Sequence, residues 1–412
     1  MSDRASVFQT VYVGRETTAG SFVAPDRQLA ALSIELTPGV TVQTFRPSGY
    51  VVHTVAATNY QQSDWQAEGI GTYNEITIPL RLLLGAPTTT GTAPVYEHEW
   101  LLNSSQSTAQ NTYTVVVGDS TRNALTNYML LQSLQLTATS QAGLQIQASG
   151  VARRWRDDCY RQFSVVNGTP TGGTWDLTIG TTNVTGLAYN ITASALQTAL
   201  TNAGIEATVT GGAFPGAALH VFFTDTPGAI SVTDTFTPGG DVEVSRVPTA
   251  TMADVVPIVG SHITHRSAGA YAGLSSASPL TRVFNWQFQF DNRAGVFAPM
   301  DASGTFAAHV ETAPNARLTV QVGADSNGMA YFSNLTANTR LFWRLRADGS
   351  NIGTSSTPHR FEVDVSMLLS EVRLLRDADG IVQASFTGTL AHDPTWGRAL
   401  RMYVRNGDAT AL

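Results

Sequence analysis

The chain contains no lysine, a single cysteine and few charged residues of either sign, and each shortage excludes a class of protein. Charged residues make up 13% of the 412 residues, about half the usual share, whereas apolar residues make up 42%. A disordered chain would show the opposite balance, so this chain folds. A surface poor in charge suits a subunit that covers much of itself in an assembly, because a lone monomer usually needs more charge for solubility.

The shortage of positive charge argues against a nucleic-acid-binding protein. The 24 basic residues are all arginine, and the 31 acidic residues give a formal net charge of −7. A mildly acidic chain without basic runs is a poor candidate for gripping DNA or RNA. Cys159 stands alone, so neither an intrachain disulfide nor a cysteine metal cluster can form. We expect no cofactor.

Long hydrophobic segments are also missing. No apolar run approaches the ~18 residues of a membrane-spanning helix. The first residues, MSDRASVF, lack the basic and apolar regions of a secretion signal. We therefore expect a soluble protein that is made and folded in a cytoplasm, with no membrane partner.

One stretch of the chain occurs twice. Residues 129–152, MLLQSLQLTATSQAGLQIQASGVA, align without a gap with residues 367–390, MLLSEVRLLRDADGIVQASFTGTL, 238 positions later. Apolar and polar residues alternate on both sides of a polar cluster in each copy, which predicts two strands and a turn. Each copy is thus predicted to be a β-hairpin with an apolar face and a neutral polar face, and the chain to carry a duplicated β domain.

The sequence between the two copies has a different character. The segment TASALQTALTNA predicts a helix that begins after the N-cap Thr192 and ends at Gly204, with strand-like segments on both sides. We therefore predict a mainly β chain of three domains: a first β domain with an N-terminal arm in residues 1–161, a small inserted α+β (ββαββ) decoration domain in 162–248, and a second β domain in 249–412. Within the first domain, residues 76–84 (ITIPLRLLL) predict an edge strand or a bent strand, because Pro79 cannot donate to a ladder.

Candidate metal ligands are few. In Glu97-His98-Glu99, strand alternation places the histidine on the face opposite both carboxylates, which favours a structural or solvent-facing role over metal binding. His262 and His265 are spaced like metal ligands, but a surface loop explains them equally well. Residues 377–380 (DADG) begin like a calcium loop and lack its terminal glutamate, so we interpret them as the turn of the second hairpin.

No catalytic constellation is present in the sequence. Asp157 and Asp158 lie among four arginines, a pattern that favours a salt-bridged cap or a subunit contact over an acid pair. There is no phosphate-binding loop, no nucleophile elbow and no HExxH zinc motif. We therefore expect a protein that is not an enzyme.

Three segments resemble a known family. GRETTAGSFVAP and TTTGTAPVYEHEW in the first domain, and DADGIVQASFTGTLAHDPTWGRALRMYVRN in the second, are similar to the major tail tube proteins of long non-contractile-tailed bacteriophages. The resemblance covers roughly residues 1–160 and 250–412. It implies two tandem tail-tube-like β-sandwich or barrel-forming domains in a structural virion protein of the tail tube, assembled in the host cytoplasm.

The resemblance also implies partners and a channel. Rings in this family contain six domains, so a duplicated chain would form a homotrimeric, pseudo-hexameric ring that stacks into a tube. The implied partners are other copies of the chain, the tape measure and tail terminator proteins, and genome DNA that passes without specific binding. The hairpins are the best candidates for barrel strands, and their polar faces would line the channel: Gln135, Gln145, Gln147, Ser149, Gln383, Ser385 and Thr387.

Two other functions fit the sequence. A distal-tail or baseplate hub protein has the same fold but forms one ring and stops. A non-viral surface adhesin with carbohydrate-binding β domains would account for the inserted domain.

Overall fold

A computed structural model describes residues 9–102, 110–139, 141–252, 254–299, 304–378 and 381–411. Within them the chain is mainly β, with strand pairs that are antiparallel apart from one short parallel pair, and the prediction of a mainly β fold is confirmed. No helix among these residues is long and apolar enough to cross a membrane.

The first segment ends near residue 157. Its elements are β1 (Thr10–Arg15), β2 (Arg27–Leu29), β3 (Leu32–Phe45), β4 (Val55–Ile70), α1 (Thr77–Leu84), β5 (Thr88–Thr92), β6 (Val95–Leu101), β7 (Tyr113–Gly118), β8 (Asn123–Thr139), β9 (Gly143–Ala152) and β10 (Arg156–Asp157).

The inserted segment follows. Its elements are β11 (Tyr160–Val166), β12 (Thr174–Ile179), β13 (Thr182–Ala188), α2 (Ala193–Asn202), β14 (Ala207–Gly211), β15 (Leu219–Phe223), β16 (Ile230–Asp234) and β17 (Asp241–Ser245).

The last segment is again β-rich. Its elements are β18 (Thr251–Met252), β19 (Ile263–Ala268), β20 (Val283–Asp291), β21 (Ala294–Phe297), β22 (Ala308–Glu311), β23 (Asn315–Gly323), α3 (Ser326–Thr336), β24 (Leu341–Asn351), β25 (Pro358–Ala378), β26 (Ile381–Leu390) and β27 (Leu400–Asn406).

Both predicted hairpins are present, as β8–β9 and β25–β26. Leu134 lies opposite Ala148 in the first, and Val372 lies opposite Phe386 in the second, 238 positions later in each strand. Both also contain a one-residue bulge at the equivalent place, after Leu131 and after Leu369. A shared bulge is a more specific sign of a common origin than shared alternation, because bulges are not required by the β pattern.

The correspondence extends beyond the hairpins to seven strands and a helix on each side. In the first segment β1 pairs with β7, β7 with β8, β8 with β9 and β10, β9 with β4, and β4 with β3. In the last segment β19 pairs with β24, β24 with β25, β25 with β26 and β27, β26 with β23, and β23 with β20, in the same order. Helix α1 follows β4 as α3 follows β23. We call these two sets of elements the first and the second repeat.

The two repeats are joined side by side in one sheet. β8 pairs with β20 along six residue pairs, among them Leu136 opposite Phe288. The resulting eight-stranded sheet has the order β3-β4-β9-β8-β20-β23-β26-β25. A second link joins β6 to β27. Apart from β21 and β22, which pair with each other, the strands of residues 9–157 and 251–411 thus share one sheet, and their apolar side chains form one continuous core.

The core lies on one face of this eight-stranded sheet. Alternate side chains of the inner strands, such as Leu134 in β8 and Leu318 in β23, are fully buried there, whereas Leu36 and Val372 in the edge strands are half-buried. Helix α1, together with side chains of α3, β7 and β24, covers that face. The opposite face carries the polar members of the alternation.

The inserted segment forms two small sheets and a helix around a separate core. One sheet has the order β14-β15-β11-β17 and the other β13-β12-β16. The predicted ββαββ order is found as β12-β13-α2-β14-β15, and β11, β16 and β17 add three strands to it. Helix α2 begins as predicted, with the Thr192 hydroxyl accepting from the Ala195 N–H. The ring of Phe22 from the first segment stacks on Phe222, so this core is closed partly by the first repeat.

The prediction of a strand at residues 76–84 is wrong. The segment is the helix α1, and all eight of its residues are buried. An apolar run that is buried on every side does not show a period, and Pro79 falls in the first helical turn, where no N–H partner is required.

We expect the junction between the repeats to dominate stability. Replacing the fully buried Phe288 by alanine should lower the free energy of unfolding by about 3–5 kcal/mol, since it opens a cavity beside β8. Phe297→Ala is the matched control, because that side chain is 59% exposed and should change stability by less than about 0.5 kcal/mol. Urea titration followed by tryptophan fluorescence measures both, and equal losses would contradict the role given to the junction.

Candidate assembly surface

The polar face of the eight-stranded sheet brings all the predicted channel-lining residues together. Gln135, Gln145, Gln147 and Ser149 occupy it in the first repeat, and Gln383, Ser385 and Thr387 occupy it in the second; all seven are exposed or half-buried. The amide of Gln135 donates to Gln147 Oε1 at 3.2 Å, and the hydroxyls of Thr319 and Thr387 are 3.1 Å apart. These contacts run along the face, from strand to strand.

Four neighbouring strands add residues that sequence reasoning did not place on this face. They are Ser33 and Glu35 in β3, Gln66 and Glu68 in β4, Gln287 and Gln289 in β20, and Arg317, Thr319 and Gln321 in β23. The alternation of these strands was visible in the sequence. Their position beside the hairpins was not, because it depends on pairings between residues far apart in the chain.

Charge on this face is sparse and predominantly acidic. Among the side chains that the structure describes, the face holds five carboxylates and two guanidinium groups: Glu35, Asp64, Glu68, Asp291 and Glu371, against Arg317 and Arg373. Arg373 is bonded to Glu371 at 2.5 Å, and Arg317 donates to the Gln289 side chain. Both arginines are therefore engaged, and in the described part of the face no cluster of unpaired positive charge faces solvent.

The sheet ends in two open edges. Among the described residues β3 pairs with β4 alone, and β25 beyond Met367 pairs with β26 alone. An open edge presents backbone donors and acceptors to any other strand, which proteins normally block or use. The start of β3 is fixed by the buried Glu75 carboxylate, which accepts N–H bonds from Ala30, Ala31 and Leu32.

Each repeat extends a hairpin beyond the sheet. The first arm, residues 39–62, consists of the end of β3, the turn and the start of β4. The second arm, residues 292–314, links β20 to β23, and its residues 300–303 lie outside the described part. The second arm folds across β8 and β9, where Phe306 packs on Tyr128, Leu130 and Val151. The first arm has no such cover, and between residues 40 and 58 all but one of the described side chains are exposed.

The second arm is held by polar contacts as well. Tyr128 Oη lies 3.1 Å from His309 Nδ1, and Arg153 Nε donates to the Phe306 carbonyl at 3.1 Å. Burial lowers the pKa of His309, and the nearby Arg293 lowers it further. The neutral imidazole is therefore the form that suits the docked arm.

Two other histidines, His98 and His265, are part of the buried core. His98 is buried in β6 and bonded to the Thr89 hydroxyl and the Asp408 carbonyl, which agrees with the structural role predicted for it. His265 is buried in β19 and accepts from Trp343 Nε1 at 3.3 Å, so the surface-loop interpretation is wrong for this residue. Burial lowers the pKa of His265 to about 4.

The aspartate pair forms the salt-bridged cap that the sequence predicts. Arg122 pairs with Asp157, and both Arg161 and Arg246 pair with Asp158. The turn proposed at 377–380 joins β25 to β26, and its residues 379 and 380 lie outside the described part. Within the described residues, no group of three or more histidine, cysteine or carboxylate side chains could hold a metal ion.

Comparison with models of known protein families and with curated proteins gives no match for this chain.

Protonation of His309 should loosen the second arm. Its pKa in the folded chain lies below the unfolded value of 6.5, so its contribution is complete above about pH 6.5 and is lost as the pH falls below it. The unmodified protein should therefore lose more stability between about pH 7.5 and 5 than His309→Gln does. Urea titrations at the two pH values measure this. His53→Gln, in the exposed first arm, is the control and should behave like the unmodified protein; a parallel loss in all three would contradict the prediction.

Proposed function

We propose that the chain is the major subunit of a bacteriophage tail tube, in which three chains close their sheets into a ring and rings stack around a channel for DNA. The observation that carries the proposal is the junction between the repeats. β8 pairs with β20, whereas the equivalent strands β25 and β3 leave their outer edges open among the described residues. Repeating the same junction between chains would pair β25 of one chain with β3 of the next.

The register of this junction between chains follows from the one within the chain. Gly150 and Gly388 are equivalent glycines of the two hairpins. In the first repeat, Gly150 lies opposite Trp65, and Trp65 lies opposite Leu36. In the second repeat, Gly388 lies opposite Leu318, and Leu318 lies opposite Phe288. Leu36 is therefore the equivalent of Phe288.

One position further along, Thr37 is the equivalent of Gln289. Gln289 faces Gln135 in the junction within the chain, and the equivalent of Gln135 in the second repeat is Arg373. Thr37 of one chain should thus face Arg373 of the next. The junction within the chain ends at Phe290, whose equivalent, Pro38, has no N–H to donate.

The number of strands fits a ring of three. Each repeat supplies four strands, so three chains supply 24, and a spacing of about 4.8 Å gives a circumference of about 115 Å. That corresponds to a backbone diameter of roughly 37 Å before strand tilt widens it. Such a barrel leaves an open channel after side chains are counted.

The chemistry of the polar face suits the passage of DNA. Amides and hydroxyls solvate a polyanion without holding it, and the excess of carboxylates over guanidinium groups disfavours phosphate binding. The proposal places the protein in the virion tail, with the tape measure protein, the tail terminator and the genome as partners. A distal-tail or hub protein would form the same ring without stacking, so the polymer formed at high concentration separates these two functions. A glycan-binding screen of the purified protein addresses the adhesin alternative.

The proposed junction can be broken and restored by charge. Thr37→Arg places a like charge opposite Arg373 of the next chain, which should cost about 1 kcal/mol at each of three junctions and raise the concentration for half-assembly several-fold. Adding Arg373→Glu should restore assembly. Mass photometry across a concentration series measures the ring fraction.

Thr198→Arg, on the exposed face of α2, is the matched control and should assemble normally. Both Thr37 and Arg373 are exposed, so the variants should fold. Normal ring formation by Thr37→Arg would contradict the proposed junction.

The channel assignment has its own test. Gln147→Arg with Gln383→Arg adds two guanidinium groups per chain to the polar face, and every ring repeats them. Each phosphate contact should steepen the salt dependence of DNA retention, by about 0.9 in the slope of log K. We expect assembled tubes with slowed genome ejection at low salt, whereas Gln→Ser at both positions should be nearly silent. Unchanged ejection from assembled arginine tubes would contradict a channel-lining position.

A further inference from the structure

We infer that the first arm docks on the second repeat of the neighbouring chain in the same ring, so that each ring is held by three arms between chains as well as by paired strands. This inference rests on the proposed function. It comes from a comparison of the two arms, which occupy equivalent places in the two repeats. In the single chain the second arm packs on β8 and β9, whereas the first arm is largely exposed.

The second arm shows what such docking looks like. It leaves the sheet at Asn292, whose φ of +60° reverses the chain, and Arg293 is fully buried with its Nε donating to the Leu83 carbonyl at the end of α1. The backbone N–H of Arg293 donates to the Gln132 carbonyl in the bulge of β8. The arm thus crosses from the second repeat onto the first, over the strand that its own β20 pairs with.

This contact buries an apolar site on the first repeat. Phe306 of the arm is fully buried against Leu130 and Val151, whose exposed fractions are 0% and 5%. Tyr128 lies beside them, with ring centroids 5.0 Å from Phe306. Further along, the Gly304 carbonyl accepts from the N–H of Gln61 at the base of the first arm.

Among the described residues, the equivalent site on the second repeat is less covered in the single chain than the site on the first. Leu368 corresponds to Leu130 and is half-buried, and Thr389 corresponds to Val151 and is exposed. They face each other across β25 and β26, as Leu130 and Val151 do across β8 and β9. Within the chain, the second arm follows β20 and lies on the hairpin of β8, the strand that β20 pairs with. If β25 pairs with β3 of the next chain, the first arm of that next chain takes the equivalent position on the hairpin of β25.

The first arm carries the apolar side chains that such a contact needs. Phe45 is 62% exposed, Val51 is 89% exposed and Val52 is 68% exposed, which is unusual for residues of this type. When β4 is matched to β23, His53 is the equivalent of Phe306. Val51 and Val52 therefore lie next to the position that corresponds to the buried Phe306. The ladder between β3 and β4 is interrupted at Thr41 and Val42, a local irregularity at which the arm can bend.

A cross-link between chains tests the docking. Val52→Cys with Thr389→Cys should form covalent trimers of chains on treatment of isolated rings with a short bismaleimide, and none in monomers at low concentration. Val52→Cys with Thr181→Cys, an exposed position in the inserted segment, is the matched control and should give at least tenfold less product. Cys159 is buried and is present in both variants.

A charge placed on the arm tests its contribution to assembly. Phe45→Asp with Val51→Asp should raise the concentration for half-assembly at least about tenfold, while Phe297→Asp, on the exposed side of the second arm, should leave it within about twofold. All three side chains are exposed, so folding should be unaffected.

The outcomes separate this inference from the proposed function. Rings that form normally without the Val52–Thr389 link overturn the docking and leave the tube proposal intact. A link seen in stacked tubes but absent from single rings also overturns it, because the arm would then reach the next ring. An unmodified protein that forms no ring overturns both.

Discussion

The ladder between β8 and β20 is the interaction on which the rest of this structure depends. It converts two four-stranded units into one sheet and brings Leu136 and Phe288 into a single core. Without it, each repeat would expose a strand edge and part of an apolar face, both of which favour aggregation. The same ladder also shows how a further repeat could be added. Each repeat has one edge strand equivalent to β8 and one equivalent to β20, and these two kinds of edge pair with each other.

An open sheet with repeated edges has few stable outcomes. It can be blocked, it can grow without limit, or it can close on itself, and only closure removes every edge. β3 offers only a partial block, since Pro38 removes one donor at the last residue that would pair. In the proposed ring, the difference between the two arms has the same origin. The second arm finds its partner within the chain, so Phe306 is buried, whereas the first arm leaves Phe45 and Val51 exposed. The proposal assigns the equivalent partner of the first arm to another copy.

Local sequence patterns predicted many of the secondary-structure elements but only part of the polar face. The hairpins could be predicted because strict alternation and polar turns are properties of adjacent residues, and α2 because Thr192 and Gly204 mark its ends. Helix α1 was missed because an apolar run buried on all sides has no period, and β16 and β17 because short strands in a Thr- and Gly-rich segment resemble loops. The polar face was predicted only where the repeat drew attention to it. The positions of Glu35, Gln289 and Arg317 beside Gln135 and Thr387 depend on pairing between distant strands, which no window of sequence contains.

Electron cryo-microscopy of the assembled protein tests the central claim most directly, because it counts the chains in a ring and resolves the strand pairs between them. The account predicts three chains per ring, with pseudo-sixfold symmetry, a continuous barrel of 24 strands and β25 of each chain paired with β3 of the next. A ring of six whole chains, or a ring in which β3 and β25 remain unpaired, would contradict it.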